Sequence, residues 1–139
     1  MYFELLDMTY QAAQLVIRVA NLVEGQPDGL IGLPLIISDE SEIYKIEFSN
    51  IAEFRSTSEP CFSEEGEEKE ITNFLSESIG SEYAKTVCVC GVGAREPARH
   101  FFVYTESVVI EVLANEEPVI HREPPNKSPK PDALRAPLG

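Results

Sequence analysis

Three cysteines and two histidines give this chain most of its chemical options. Cys88 and Cys90, together with His100 or His121, could supply the thiolate and imidazole ligands that suit zinc. A structural zinc site usually has two residues between paired cysteines, whereas one residue intervenes here and no second cysteine pair exists. Residues 88 and 90 of a β-strand face the same side, so we expect two small buried apolar side chains there and no metal.

Nucleophilic catalysis would need a serine or cysteine, a base, and a group that orients the base. His100 and His121 are the two imidazoles that could act as the base. His121 lies where the composition changes, and His100 precedes an apolar segment, where a histidine more often caps a loop or packs beside aromatic rings. No serine stands in a G-x-S-x-G pattern. We therefore expect no enzymatic activity, and the role of His100 stays open.

Two further patterns resemble ligand-binding loops in part. Gly91-Val92-Gly93-Ala94-Arg95-Glu96 begins like a phosphate-binding loop, but a glutamate at its sixth position would oppose a pyrophosphate, so a Gly-rich turn is expected. The acidic run from Glu64 to Glu70 lacks the Asp/Asn alternation of a calcium loop. The residues thus imply no cofactor. With 24 acidic side chains in the chain, a catalytic carboxylate pair cannot be singled out.

The segments that would carry these residues read mainly as β-strands. Residues 100–104 and 108–113 flank a short polar turn, which predicts a hairpin. Residues 43–48 alternate and are followed, after Ser49-Asn50, by residues 51–55, which predicts two strands joined by a tight turn. Residues 15–19 are mostly β-branched and favour a strand. Residues 10–24 as a whole also fit a helix that ends at Gly25, and this alternative stays open.

Three stretches are less regular. Residues 30–37 are apolar but interrupted by Gly32 and Pro34, which predicts a buried loop or an edge segment. Residues 63–70 are expected to form an exposed acidic loop or the charged first turn of a helix, since the helix macrodipole favours glutamate at its N-terminus. Over residues 71–87 a long helix is disfavoured by glycine and serine, and a short helix is expected around residues 81–86.

These elements predict an α+β fold, mainly antiparallel β-sheet, with one or two short helices and an extended Pro-rich C-terminal tail. Six of the ten prolines lie at or after Pro118. We therefore expect residues 1–121 to form a single acidic globular domain and residues 122–139 to form an extended or disordered Pro-rich tail.

The charge is concentrated in the expected domain. Residues 1–121 carry a net charge of −15, whereas residues 122–139 carry +2. A body of this charge repels phosphate backbones, which argues against nucleic acid as a partner. No stretch approaches the roughly 18 apolar residues of a spanning helix, so no membrane contact is expected. The odd number of cysteines favours a cytoplasmic location, because it argues against a disulfide framework.

Two stretches together carry a resemblance to known proteins. The residues concerned are Tyr44-Lys45-Ile46-Glu47-Phe48, Phe54-Arg55 and Glu59 in the first stretch, and His100-Phe101, Val103, Ile110-Glu111-Val112-Leu113-Ala114 and Pro118 in the second. They resemble a group of small bacterial proteins, some of which are similar to immunity proteins of polymorphic or contact-dependent toxin systems. The resemblance implies a non-enzymatic binding protein that neutralises a basic toxin domain.

The composition suits such a partner independently, since a polyanion is steered towards a basic protein by its summed field. The carboxylates expected at the contact are Asp39, Glu40, Glu42, Glu64, Glu65, Glu67, Glu68 and Glu70. A generic protein-interaction module is the alternative. A small-molecule enzyme is a third possibility, marked by a pocket with converging polar groups and a shifted pKa of His100. The oligomeric state is not indicated.

Overall fold

The chain folds into two antiparallel β-sheets that share one core. The computed structural model describes residues 2–25, 34–64, 66–91 and 94–124, with the backbone alone between residues 88 and 97. A 3-10 turn spans Glu59–Cys61, and helix α1 spans Glu82–Lys85. The strands, in chain order, are β1 (Phe3–Gln11), β2 (Gln14–Asn21), β3 (Val23–Glu24), β4 (Leu35–Ile36), β5 (Ile43–Phe48), β6 (Glu53–Ser58), β7 (Glu67–Thr72), β8 (Leu75–Ile79), β9 (Cys88–Gly91), β10 (Ala94–Pro97), β11 (Arg99–Tyr104), β12 (Val108–Ala114) and β13 (Val119–Glu123).

The four-stranded sheet has the order β1-β2-β5-β13, and the five-stranded sheet has the order β6-β12-β11-β8-β7. Every neighbouring pair in both sheets is antiparallel. Two short antiparallel pairs, β3 with β4 and β9 with β10, accompany them. This architecture confirms the predicted class, which is mainly antiparallel β-sheet with a short helix. Among the described residues, no helix has the length and apolar character needed to cross a membrane.

The core lies between the two sheets and follows the alternation of the strands. Leu15, Ile17 and Val19 are fully buried on one face of β2. Phe48 of the four-stranded sheet packs against Phe101 of the five-stranded sheet, with ring centroids 5.7 Å apart. Each such side chain contributes about 1.5–3 kcal/mol when it leaves water, so this apolar layer is what holds the sheets together.

The outer face of the four-stranded sheet carries ion pairs instead of apolar side chains. Arg18 of β2 donates to Asp7 of β1 at 2.6 Å, and it reaches Glu123 of β13 with Nε and Nη2 at 3.2 and 3.0 Å. Arg18 and Glu123 are 105 positions apart in the chain. This polar ladder defines which face of the sheet is solvated.

Residues 10–24 form strands, so the competing helix is excluded. β1 and β2 are joined by a two-residue turn at Ala12 and Ala13, whose φ angles are +52° and +63°. Positive φ at both central residues belongs to the turn type that matches the twist of a hairpin. Alanine is strained in this conformation because its Cβ crowds the backbone.

The strands on either side of Ser49-Asn50 are present, but their predicted pairing was wrong. β5 pairs with β2 and β13, whereas β6 pairs with β12, so the turn carries the chain from one sheet to the other. Ile51 is buried in the core, and its N–H donates to the Ala13 carbonyl at 3.0 Å. The burial of Ile51 between the sheets therefore outweighs local hairpin pairing.

The acidic run was also wrong in part, because residues 67–70 begin strand β7 instead of a loop or helical turn. β7 pairs with β8 across a turn at Asn73-Phe74. Phe74 is buried and packs against Phe3, with ring centroids 5.0 Å apart. This aromatic anchor fixes the hairpin. Glu64 stays outside a strand, and Glu65 lies outside the described residues.

The predicted hairpin of residues 100–104 and 108–113 is confirmed as β11 and β12. The short helix expected around residues 81–86 is α1, whose N-cap is Ser81. β9 and β10 pair with Gly91 opposite Ala94, and the predicted Gly-rich turn falls on residues 92–93, which lie outside the described residues.

Two predicted segments fall partly outside the described residues. In the stretch of residues 30–37, expected to be a buried loop or edge segment, residues 30–33 are not described, and β4 is an exposed two-residue strand. β13 continues to Glu123, past the domain boundary expected at residue 121. Residues 125–139, most of the expected tail, lie outside the described part.

We expect Ala13→Gly to raise the free energy of unfolding by about 0.5–1 kcal/mol. Glycine relieves the backbone strain at φ +63°, and this gain is larger than the extra conformational entropy that glycine loses on folding. The matched control is Ala52→Gly, at an exposed position without positive φ, which should lower stability by about 0.5–1 kcal/mol. Urea denaturation of both variants measures the difference. Equal destabilisation by the two substitutions would contradict the turn strain.

Candidate functional site

The five-stranded sheet turns polar and aromatic side chains away from the core. On β11, Phe101 enters the core, whereas His100 and Phe102 line the opposite face. The register places Glu111 of β12 opposite Phe102, and Arg55 of β6 opposite Glu111. Three neighbouring strands thus bring an imidazole, a carboxylate and a guanidinium together on one face.

Two connections partly cover this face and leave a cleft of about 510 Å³. The first follows the 3-10 turn, and the Phe62 ring packs on Phe102 and Tyr104 with centroids 5.8 and 6.0 Å apart. The second contains α1, where Ala84 packs on Leu113. The cleft has the size of pockets that hold small molecules.

A chain of hydrogen bonds runs along the floor of the cleft. Ser81 Oγ lies 2.6 Å from His100 Nδ1, and His100 Nε2 lies 3.1 Å from Glu111 Oε1. Arg55 donates to the same carboxylate twice, from Nε at 2.6 Å and from Nη2 at 3.0 Å. Four side chains from three strands and one helix cap are therefore linked in a single line.

The partners fix the proton positions. A carboxylate only accepts hydrogen bonds, so His100 Nε2 carries the proton that faces Glu111. Ser81 Oγ accepts the backbone N–H of Ala84 at 3.0 Å, so its own proton is free to point at His100 Nδ1. The imidazole is thus held in one tautomer, with its unprotonated nitrogen against a serine hydroxyl.

Burial sets the charge of the imidazole. His100 is 5% exposed, and the centroid of its ring lies 4.3 Å from that of Phe102 and 5.2 Å from that of Tyr83. Burial lowers the pKa of His100, and the carboxylate of Glu111 offsets this only in part. His100 is therefore neutral at pH 7.

The guanidinium of Arg55 stays charged. Its hydrogen bonds to Glu111 raise its pKa, and it lies over the Tyr83 ring, 4.1 Å from the centroid. Burial raises the pKa of Tyr83 as well, so the phenol stays protonated. At neutral pH, one cation and one buried anion compensate each other beside a neutral imidazole.

This arrangement of side chains allows two interpretations, one structural and one catalytic. As a structural network, Ser81 caps α1 and ties it through His100 to the sheet, while Arg55 neutralises a carboxylate that would be costly to bury alone. It also has the order of nucleophile, base and orienting carboxylate that activates a hydroxyl.

The carboxylates predicted for partner binding lie in two groups. Asp39 and Glu40 are exposed in the turn before β5. Glu42 is used within the fold, because it accepts from Tyr44 Oη at 2.7 Å and forms an ion pair with Arg122. The first group therefore offers two exposed carboxylates that form no ion pair among the described residues, instead of three.

The second group lies on and just before β7, which is an edge strand of the five-stranded sheet. Glu64, Glu67 and Glu70 are exposed. Glu68 is half-buried and accepts from Tyr104 Oη, and burial raises its pKa. Two of these exposed carboxylates, Glu67 and Glu70, thus belong to a strand with an open edge.

Most basic side chains whose positions are described form ion pairs within the protein. Lys69 makes no ion pair among the described residues. The other basic residues with described side chains each pair with a carboxylate; they are Arg18, Lys45, Arg55, Lys85, Arg99 and Arg122. In the described part of the chain, Lys69 is therefore the one cation on β7 that could offset its carboxylates.

The two histidines lie on different sheets. His121 is exposed on β13, where its Nε2 lies 3.1 Å from Glu47 Oε2, whereas His100 lies on the other sheet. Cys88 and Cys90 lie on β9, and their side chains are outside the described part. Over the residues described, no group of three His, Cys, Asp or Glu side chains is placed to hold a metal ion.

Sequence reasoning considered His100 but missed Ser81, Arg55 and Glu111 as its neighbours. One signal was available, since Glu111 interrupts the apolar run of β12, and a charge in such a place is usually buried with a partner. Arg55 could not be named as that partner, because the β6–β12 register depends on the crossing of the chain between sheets.

Comparison with protein-family models, curated proteins and solved structures gave no match for this chain. Two surfaces of the described structure are candidates for a function: the exposed carboxylates on and before β7 and in the turn before β5, and the cleft on the five-stranded sheet.

We expect the free energy of unfolding to fall as the pH drops below about 6.5, the ordinary pKa of histidine. Because burial lowers the pKa of His100 in the folded state, the unfolded chain binds the proton first and gains stability on acidification. Glu111, Arg55 and Tyr83 are the titratable or charged groups that face this ring. Urea denaturation at pH of about 7.5 and about 5.5 measures the effect.

His100→Gln should remove most of this loss, whereas His121→Gln, at the exposed histidine, should retain it. An equal loss in the native chain and in His100→Gln would show that His100 is not the titrating group.

Proposed function

We propose that this chain is an acidic binding protein of the immunity type, which binds and neutralises a basic toxin domain. The supporting observation is the acidic edge, defined as Glu64, Glu67 and Glu70 with the turn residues Asp39 and Glu40. Its carboxylates are exposed, while the cations of the described fold are largely engaged in internal ion pairs.

One aromatic contact links the start of β5 to the turn after β7. Tyr44, at the start of β5, packs on Phe74, just after β7, with ring centroids 5.1 Å apart. This contact brings the turn before β5 towards the end of β7. Exposed carboxylates on both elements contribute to a negative field, and such a field accelerates encounter with a basic protein.

An interface also needs an apolar anchor at its centre. Tyr2 is 55% exposed and lines a shallow depression with Glu59 and Glu106. An exposed aromatic ring between carboxylates suits a partner surface that combines arginine or lysine with apolar area. Tyr2 is therefore the anchor that we favour.

In this proposal the partner's basic groove, which would otherwise bind phosphates, is occupied or shielded by carboxylates. Nucleic acid itself is repelled by the same charge. The protein would act in the cytoplasm, where a toxin must be neutralised. The alternative is a generic interaction module, in which the charges of β7 mainly prevent edge-to-edge association of sheets.

The experiment begins with the gene beside that of this chain. We expect it to encode a large protein that ends in a basic toxin-like domain, and we expect that domain to bind this chain. Association should slow roughly 10-fold or more between low and high salt, because the steering field is screened. If the domain binds at a rate that ignores salt, electrostatic capture is wrong. If it does not bind, the immunity proposal fails.

A pair of charge reversals locates the contact. Glu67→Lys with Glu70→Lys should lower the association rate more than Glu24→Lys with Glu116→Lys, although both changes alter the net charge equally. Glu24 and Glu116 are exposed but lie off β7. Stopped-flow mixing with the toxin domain measures both rates. Equal slowing would indicate that net charge, and not the acidic edge, governs the encounter.

A further inference from the structure

The cleft on the five-stranded sheet has no role in the proposed partner contact, and it contains the hydrogen-bond order Ser81, His100, Glu111. We propose that this cleft is an acyl-transfer site that hydrolyses small uncharged carboxylic esters, with Ser81 as nucleophile, His100 as general base and Glu111 as the group that orients the imidazole. Such an activity belongs to the small-molecule enzyme that the sequence left as a third possibility.

The geometry places the reacting groups within reach of one another. Ser81 Oγ is 2.6 Å from the unprotonated nitrogen of His100, inside the range required of a nucleophile and its base. The other imidazole nitrogen donates to Glu111, which keeps the ring from rotating. All three residues line the same cleft, so a substrate bound there meets the hydroxyl directly.

Each atom is accounted for in the reaction. Ser81 Oγ bonds to the acyl carbon as its proton passes to His100 Nδ1. The adduct expels the alcohol, which takes that proton from the imidazolium. A water molecule then attacks the acyl group on Ser81, again giving its proton to His100, and the carboxylic acid leaves as Ser81 regains its hydrogen.

The lining of the cleft indicates the substrate class. Phe62 and Phe102 provide an apolar wall for an aryl or short alkyl group. Arg55 has a half-exposed side chain, and its Nη1 group makes no hydrogen bond among the described residues, so it can face a carbonyl oxygen. Glu111 already neutralises Arg55, and Glu82 also lines the cleft, which disfavours an anionic ester.

The purely structural role of the same network makes a different prediction, and one variant separates the two. Ser81→Asn keeps a side-chain oxygen that can cap α1 but removes the nucleophilic hydroxyl. Ser78→Ala is the matched control, because Ser78 lines the same cleft and, among the described residues, makes no hydrogen bond to an imidazole. Circular dichroism and urea denaturation establish that both variants are folded.

The test uses an aryl fluorophosphonate, which labels activated serines, followed by mass spectrometry of the labelled peptide. We expect labelling of the native chain at Ser81, similar labelling of Ser78→Ala, none in Ser81→Asn, and a rate reduced roughly 100-fold or more in His100→Gln. The labelling rate should begin to fall only at a pH lower than about 6.5, the ordinary pKa of histidine, because burial lowers the pKa of His100.

Hydrolysis of p-nitrophenyl acetate by the Cys61→Ala variant provides the second readout, since Cys61 is an exposed thiol on the same cleft and could react by itself. Turnover that is lost in Ser81→Asn supports the proposal. Absence of both labelling and turnover in the folded native chain overturns it, as does labelling that survives in Ser81→Asn. Either result leaves Ser81 as a helix cap.

Discussion

The face of the five-stranded sheet that points away from the core depends on one carboxylate buried in the middle of strand β12. Glu111 is almost fully buried among apolar neighbours on β12, where an unpaired charge would cost several kcal/mol. Arg55 meets it with two hydrogen bonds, and His100 meets it with a third. Replacing one partner would leave the others without hydrogen-bond partners. The register of β6, β12 and β11 and the position of α1 therefore depend on this one carboxylate.

Internal ion pairs of the same kind hold most of the other cations with described side chains. The chain has few cations, and among these Arg18 forms such ion pairs on the four-stranded sheet and Arg99 on the five-stranded sheet. What is left at the edge of the five-stranded sheet is therefore mostly negative. The internal ion pairs and the negative field at the surface both result from a composition with few basic residues.

Local pattern predicted the elements whose partners are near in sequence. The β11–β12 hairpin, the strand favoured over residues 15–19 and the short helix around residues 81–86 follow from alternation, turn residues and local propensity. The separation of β5 from β6 did not follow, because it depends on burying Ile51 between two sheets whose relation is not written in the adjacent residues. β7 was missed since its charged sequence disfavours strands, and the buried Phe74 decides the pairing instead.

The site was predictable to the same limited degree. His100 could be picked out by its residue type, and Glu111 by its place in an apolar run. The contact of His100 with Ser81 spans 19 positions, and that of Arg55 with Glu111 spans 56. Such pairs become visible once the strand order is known, because spacing along the chain carries no record of them.

The link between Arg18 and Glu123 bears on how the chain is made. β5 needs both β2, which comes before it, and β13, which is separated from it by the whole five-stranded sheet. During synthesis, β5 therefore remains an open edge until residues 119–123 have left the ribosome. A topology dominated by such distant pairings folds slowly. The nascent protein thus spends its longest unprotected interval with the Ile43–Phe48 strand lacking one of its two neighbours.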